Sequence, residues 1–147
     1  MLRKQDFTIG IEEEYLLVDP ASRDLVADPP EALLAVHSFT PRFRGVDRPW
    51  HVGILSGRDR RIADPMIAAL AADGSLAVGD NQPYSGLHFA GYTMDTHAVK
   101  RGLPSVMIEV RQDLVADHAG VARWAGILER ALAPILAQNS LYRKLLG

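Results

Sequence analysis

The sequence predicts an α/β domain on a small, mainly parallel sheet with flanking helices, and three observations carry that expectation. Residues 105–110 place Val106, Ile108 and Val110 on one face and Met107 and Glu109 on the other, the period-two pattern of a strand. Residues 50–55 (WHVGIL) read as a second strand. Two helical stripes complete the pattern: Ile62, Met66 and Leu70 in one, and Trp124, Ile127, Leu128, Ala131, Leu132, Ile135 and Leu136 in the other. Strands alternating with helices imply parallel crossovers and a sheet covered on both faces. Only three or four strands can be counted.

The elements follow in order. Residues 7–18 alternate, with Phe7, Ile9, Ile11, Tyr15 and Leu17 on one side and Thr8, Gly10, Glu12 and Glu14 on the other. The turn signal at 19–22 and the stretch 24–28 allow a hairpin. Residues 29–37 are ambiguous: Pro30 and Glu31 resemble a helix start, while Leu33–Val36 suits a short buried strand ending at His37. Residues 38–49, with two prolines and three arginines, read as a polar loop. Asp59 or Asp64 is expected to cap a helix running to about residue 73, with Pro65 in its first turn and Gly74 past its end. Residues 76–78 read as a brief strand, 92–102 as a short helix, and 119–138 as the last helix, which Pro134 should kink or end.

Composition narrows the function. The chain has 147 residues, is 48% hydrophobic and 23% charged, and carries a net charge of −2 with pI near 6.2. One domain with its own core fits that length. The charge balance argues against nucleic acid, which calls for a basic face. No apolar run approaches a membrane span, and the N-terminus lacks a signal-peptide pattern, so the expected location is cytoplasmic. Without cysteine, any metal must use His, Asp or Glu.

The chemistry concentrates at 79–113. Glu109 stands inside an apolar strand, where a carboxylate is costly unless paired or used. Arg111 shares its face at the strand's C-terminal end, the end at which α/β sheets gather their chemistry. The bland reading is an ion pair of Glu109 with Arg111 or Arg101. His37 and His97 stand out as well, although a histidine after an apolar run is commonly a loop residue. The loop GDNQPYSG (79–86) matches neither the P-loop nor the dinucleotide fingerprint, and its bland reading is a wide turn. The residues alone support an α/β domain with an acidic cleft suited to hydrolysis.

Five stretches add a resemblance. HSFTP (37–41), RPWHVGIL (48–55), GDNQPYSG (79–86), YTMDTHA (92–98) and IEVRQDL (108–114) resemble the C-terminal half of N-formylglutamate amidohydrolases, in order and at suitable spacing. The resemblance implies a zinc carboxypeptidase-like (phosphorylase/hydrolase-like) fold and cleavage of N-formyl-L-glutamate into formate and glutamate, a step of histidine degradation. It further implies His37 as a zinc ligand, Glu109 as general acid/base, and Arg48 and Arg111 as holders of the substrate's two carboxylates. Asn81 and Tyr84 would line the pocket. The implied ligand is thus a small acidic molecule. At position 82 the family more often has glutamate than this chain's Gln82.

Residues 1–35 instead resemble the opening of carboxylate–amine ligases related to type 2 glutamate–cysteine ligase, whose Glu-Glu-Glu-Tyr strand lies near Mg-ATP. The expected division is therefore a ligase-like segment at 1–35 and a partial amidohydrolase-like domain at 36–147, with a seam at 30–36. A truncated hydrolase would hold zinc weakly, since one histidine is left where three ligands are wanted, and His51, His88, His97 or the 12–14 acids would replace the rest only by accident. The alternatives are a ligase fragment and a non-catalytic folded remnant. A cut sheet would also expose an edge through which copies self-associate.

Overall fold

The computed structural model describes residues 32–72, 74–87, 94 and 98–143. The expected hairpin-like segment at 1–28, His88, His97 and residues 92–93 and 95–97 of the helix expected at 92–102 lie outside these residues. Strand β1 (Leu33–Phe39) is followed by a hairpin of β2 (Arg42–Phe43) and β3 (Val46–Asp47), then β4 (Val52–Leu55), helix α1 (Ala63–Ala71) and β5 (Val78–Asp80). Strand β6 (Ser105–Arg111) and helix α2 (His118–Leu136) complete the body, with short 3-10 turns at Val99–Arg101, Gln112–Val115 and Asn139–Tyr142.

The sheet runs β1–β6–β4–β5. Strands β1 and β6 are parallel, as are β4 and β5, whereas β4 and β6 are antiparallel. The sheet is mainly parallel, as expected, with one reversed pair at its centre. The reversal follows from the connections. Parallel strands need a long crossover, commonly a helix, and α1 supplies one between β4 and β5. Between β1 and β4 stands only the β2–β3 hairpin, so the chain turns back. That hairpin replaces the polar loop expected at 38–49, and Gly45 (φ +83°) and Arg44 (φ +49°) make its tight turn.

The ambiguous stretch 29–37 resolves as strand from Leu33 onward. Seven residues of β1 pair with seven of β6, from Leu33 opposite Ser105 to Phe39 opposite Arg111. Helix α1 begins without a side-chain cap at Ile62. Asp59 and Asp64 are engaged by arginines instead, Asp59 by Arg61 at 2.6 Å and Asp64 by Arg60 at 2.7 Å. Gly74 lies past the helix end with φ +69° and donates to the Ala71 carbonyl, as the sequence suggested. Strand β5 is displaced to Val78–Asp80 from the expected 76–78. Helix α2 is capped by Asp117, whose carboxylate accepts from Gly120 N at 2.7 Å, and it continues past Pro134 to Leu136.

Both helices pack on one face of the sheet. Val52 and Ile54 of β4 and Val106, Ile108 and Val110 of β6 meet Ile62, Met66 and Leu70 beside α1 and Trp124, Ala131 and Ile135 of α2 in one buried cluster. Among the described residues, then, α1 and α2 form a single layer and do not sandwich the sheet. Alternation turns Glu109 and His37 to the opposite face. Among the described residues no helix is long and apolar enough to cross a membrane.

Candidate functional site

One row crosses the whole sheet. His37 is opposite Glu109, Glu109 opposite Gly53, and Gly53 opposite Gly79. Their side chains, or lack of them, share the face turned away from the helices. Glu109 is only 4% exposed, yet it comes from the middle of the core strand. His37 Nδ1 lies 3.8 Å from Glu109 Oε1, beyond hydrogen-bond length.

The two glycines in this row are required. A Cβ on Gly53 would stand 2.0 Å from the Gln82 carbonyl oxygen, and one on Gly79 would stand 2.9 Å from both that oxygen and Trp50 Cδ1. The loop 81–86 therefore lies directly on the bare backbone of β4 and β5, beside Glu109. Its Gln82–Pro83 peptide is cis. Asn81 holds the loop shut. Its N–H donates to Ile54 O (2.9 Å), and its Oδ1 accepts from Ser56 N (3.2 Å) and Gly86 N (2.8 Å). With φ +51°, Asn81 adopts the left-handed conformation that asparagine tolerates better than most residues. Its amide NH2 contacts Asp80 at 3.3 Å, so the side chain is occupied within the loop.

Next to this pin sits a charge network that the sequence did not reveal. Arg60 forks onto Asp80 (2.7 and 2.8 Å), reaches Asp64 (2.7 Å), and donates to Ser56 Oγ (3.1 Å). The Arg60 hydrogen bonds hold the Asp80 carboxyl below its ordinary range, against the opposing effect of burial. The only hint in the sequence was the arginine run at 58–61.

The loop then delivers Tyr84 to Arg48. Arg48 Nη1 donates to Tyr84 Oη (3.2 Å) and reaches Thr40 O and Oγ1 (3.4 Å each). Its guanidinium lies 4.8 Å from the Phe43 ring centre, 5.1 Å from Tyr84 and 5.9 Å from Phe39. This aromatic enclosure orients the fork by cation–π attraction. No ion pair among the described residues takes Arg48.

Arg111 is differently employed. Its Nε and Nη2 hold Asp113 at 2.7 and 3.1 Å, and its Nη1 points to the Pro49 and Trp50 carbonyls at 3.4 Å. The Asp113 carboxyl is held below its ordinary range, first by that hydrogen bond. The expected pairing of Glu109 with Arg111 is thus replaced by Arg111–Asp113. His51 is also occupied, its Nδ1 accepting from Ala77 N at 2.9 Å. The structure accordingly brings together His37 and Glu109 on one side and Arg48, Tyr84 and the Asn81 loop on the other. Among the described residues no three His, Asp or Glu side chains converge as a metal site. Among these residues a zinc ion would find at most the His37–Glu109 pair, fewer than the three ligands a catalytic zinc takes.

Residues 22–116 match the family described as N-formylglutamate amidohydrolase. The chain belongs to that family. The match covers the site row, the loop and Arg48, and it begins ahead of the junction expected at 30–36. The crystal structure of a gene product from Agrobacterium tumefaciens shares the fold, with TM-score 0.65 and 37% identity over 80% of this chain. A Rhodospirillum rubrum protein named "Putative glutamate--cysteine ligase 2" is 70% identical over 98 residues, 65% of this chain. In a chain of 147 residues that span must overlap the amidohydrolase match, so the relative with the ligase name carries part of this amidohydrolase segment as well. The chain spans a quarter of that relative's length and 44% of the solved chain.

Proposed function

We propose that this chain carries the acid/base and carboxylate-binding groups of a site that hydrolyses N-formyl-L-glutamate to formate and L-glutamate. One observation supports the reading most: a buried carboxylate, Glu109, faces His37 on the sheet surface that the Asn81 loop borders, within a stretch belonging to the amidohydrolase family. In the reaction, water adds its hydroxyl to the formyl carbon, the C–N bond breaks, and the nitrogen gains a proton. Glu109 takes the proton from water and returns it to the leaving nitrogen. Arg48, oriented by its aromatic enclosure and without a carboxylate partner among the described residues, binds a substrate carboxylate as a planar fork. Arg111 acts through Asp113 and the 49–50 backbone, shaping the pocket wall. The described residues do not complete a zinc site.

Titration calorimetry with N-formyl-L-glutamate tests the reading without requiring turnover. Binding is expected, weakened at least tenfold in Arg48→Met and little changed in Arg123→Gln. Absence of binding, or binding indifferent to Arg48, would favour the non-catalytic reading.

A second reading, a fragment of an ATP-dependent carboxylate–amine ligase, draws on the name of the Rhodospirillum relative. Binding of ATP with Mg²⁺ by this chain would support it. We favour the hydrolase because the family match includes every residue of the row and loop.

A further inference from the structure

The parallel strands β4 and β5 end side by side, with Ile54 opposite Asp80. The chain leaves β4 through Ser56 toward α1, and it leaves β5 through Asn81 into the 81–86 loop. Arg60, between β4 and α1, ties these exits together. Its guanidinium forks onto Asp80, donates to the hydroxyl of the buried Ser56, and holds Asp64 in the first turn of α1.

From there the contacts run on into the loop. Asp80 Oδ1 accepts both Arg60 Nη1 (2.7 Å) and the Asn81 amide NH2 (3.3 Å). Holding the NH2 on Asp80 turns the other end of that amide, Oδ1, toward Ser56 N and Gly86 N. Gly86 also rests on Ser56, since a Cβ there would stand 2.7 Å from the Ser56 carbonyl carbon. Both ends of the loop thus converge on Ser56, and Tyr84 between them meets Arg48 at 3.2 Å. The Asp80 side chain is 53% exposed, so the Arg60 fork is what fixes it.

We propose that Arg60 is a positioning residue for the carboxylate site: through Asp80 and Asn81 it sets the 81–86 loop, and with it Tyr84 against Arg48. The inference rests on the reading of Arg48 as holder of a substrate carboxylate. A partly exposed ion pair adds little stability. Its effect is therefore expected on the loop and on the ligand more than on the fold.

Two measurements on the whole chain test this, one of them without ligand. The Nε–Hε proton resonance of Arg48, identified by its loss in Arg48→Met, is shifted by the rings of Phe43, Tyr84 and Phe39. Arg60→Met and Asp80→Asn should both move that resonance in one direction, toward the value of an exposed arginine. Both should weaken N-formyl-L-glutamate by about fivefold in calorimetry. Arg60→Lys, which keeps the charge without the fork, should fall between parent and Arg60→Met in both readouts. Asp117→Ala removes the α2 cap and lowers stability away from the loop. It should change neither readout. An Arg48 resonance that stays in place in Arg60→Met and Asp80→Asn overturns the inference, as does unchanged affinity beside a shifted resonance. Equal effects from Asp117→Ala would overturn it in favour of a general loss of stability. A parent chain that binds no N-formyl-L-glutamate overturns the hydrolase reading itself, and the effect on ligand falls with it.

Discussion

His37 and Glu109 occupy matched positions on neighbouring parallel strands, and their side chains approach to 3.8 Å on the face opposite the helices. The pairing places a carboxylate that is 4% exposed beside an imidazole that still meets solvent. A strand interior tolerates such a residue poorly unless it is used. Glu109→Gln keeps the shape of the side chain and is expected to change stability by less than about 2 kcal/mol. A loss of several kcal/mol in denaturant titration would mark Glu109 as a structural ion-pair partner instead.

Formate release by the purified chain with added zinc is expected to stay near background. The described residues offer zinc at most two ligands, and general-base help alone contributes roughly 10²–10⁴-fold. Substantial turnover lost in both His37→Ala and Glu109→Gln would show a complete site. Turnover indifferent to both changes would indicate a contaminant.

Asn81→Ala removes both acceptor bonds that close the 81–86 loop. The expected cost is about 1–3 kcal/mol, since two backbone N–H groups lose their partner. Hydrogen exchange at Ser56 and Gly86 should accelerate before any change at Ile108. Gly53→Ala is harsher, with its Cβ at 2.0 Å from Gln82 O. It should displace the loop or prevent folding, and a variant with unchanged melting temperature and loop protection would contradict the geometry.

Asp80 and Asp113 both have carboxyls held low by an arginine. A depressed folded-state pKa stabilises the protein above the unfolded value near 3.9, and that contribution disappears as pH falls through the folded value. Stability should therefore decline below about pH 4. Asp80→Asn should flatten this decline and lower stability at pH 7 by up to about 1 kcal/mol, since its pair with Arg60 is partly exposed. An unaltered acid limb in Asp80→Asn would refute the assignment.

Among the described residues β1 is an edge strand, and Val36 at its centre is 55% exposed. We expect this edge to mediate self-association at high concentration. Sedimentation should show a concentration-dependent dimer that Val36→Lys reduces. A monomer at all concentrations would remove the proposal.

Local signals made much of this protein legible. Alternation over 105–110 marks β6 and turns Glu109 away from Val106, Ile108 and Val110, because successive strand residues point to opposite faces. Helical stripes likewise located α1 and α2, and the GDNQPYSG stretch announced a special loop. Strand direction was not legible. The reversed β4–β6 pair depends on backbone hydrogen bonds between residues some fifty positions apart, to which no single segment is witness. The 38–49 stretch misled for a similar reason: its two-residue strands are too short for any periodicity to register.

For the site, the sequence by itself determined which residues carry charge and which face each strand residue takes, because both are properties of local chain chemistry. It could not assign partners. Arg48 and Arg111 looked alike as carboxylate holders, yet Asp113 takes Arg111 while three aromatic rings surround Arg48. Asn81 looked like a pocket residue, and the fold spends its oxygen on closing the loop. Only the tertiary structure decided these roles, because an ionic or polar group binds whichever complementary group the packed chain brings within about 3 Å of it.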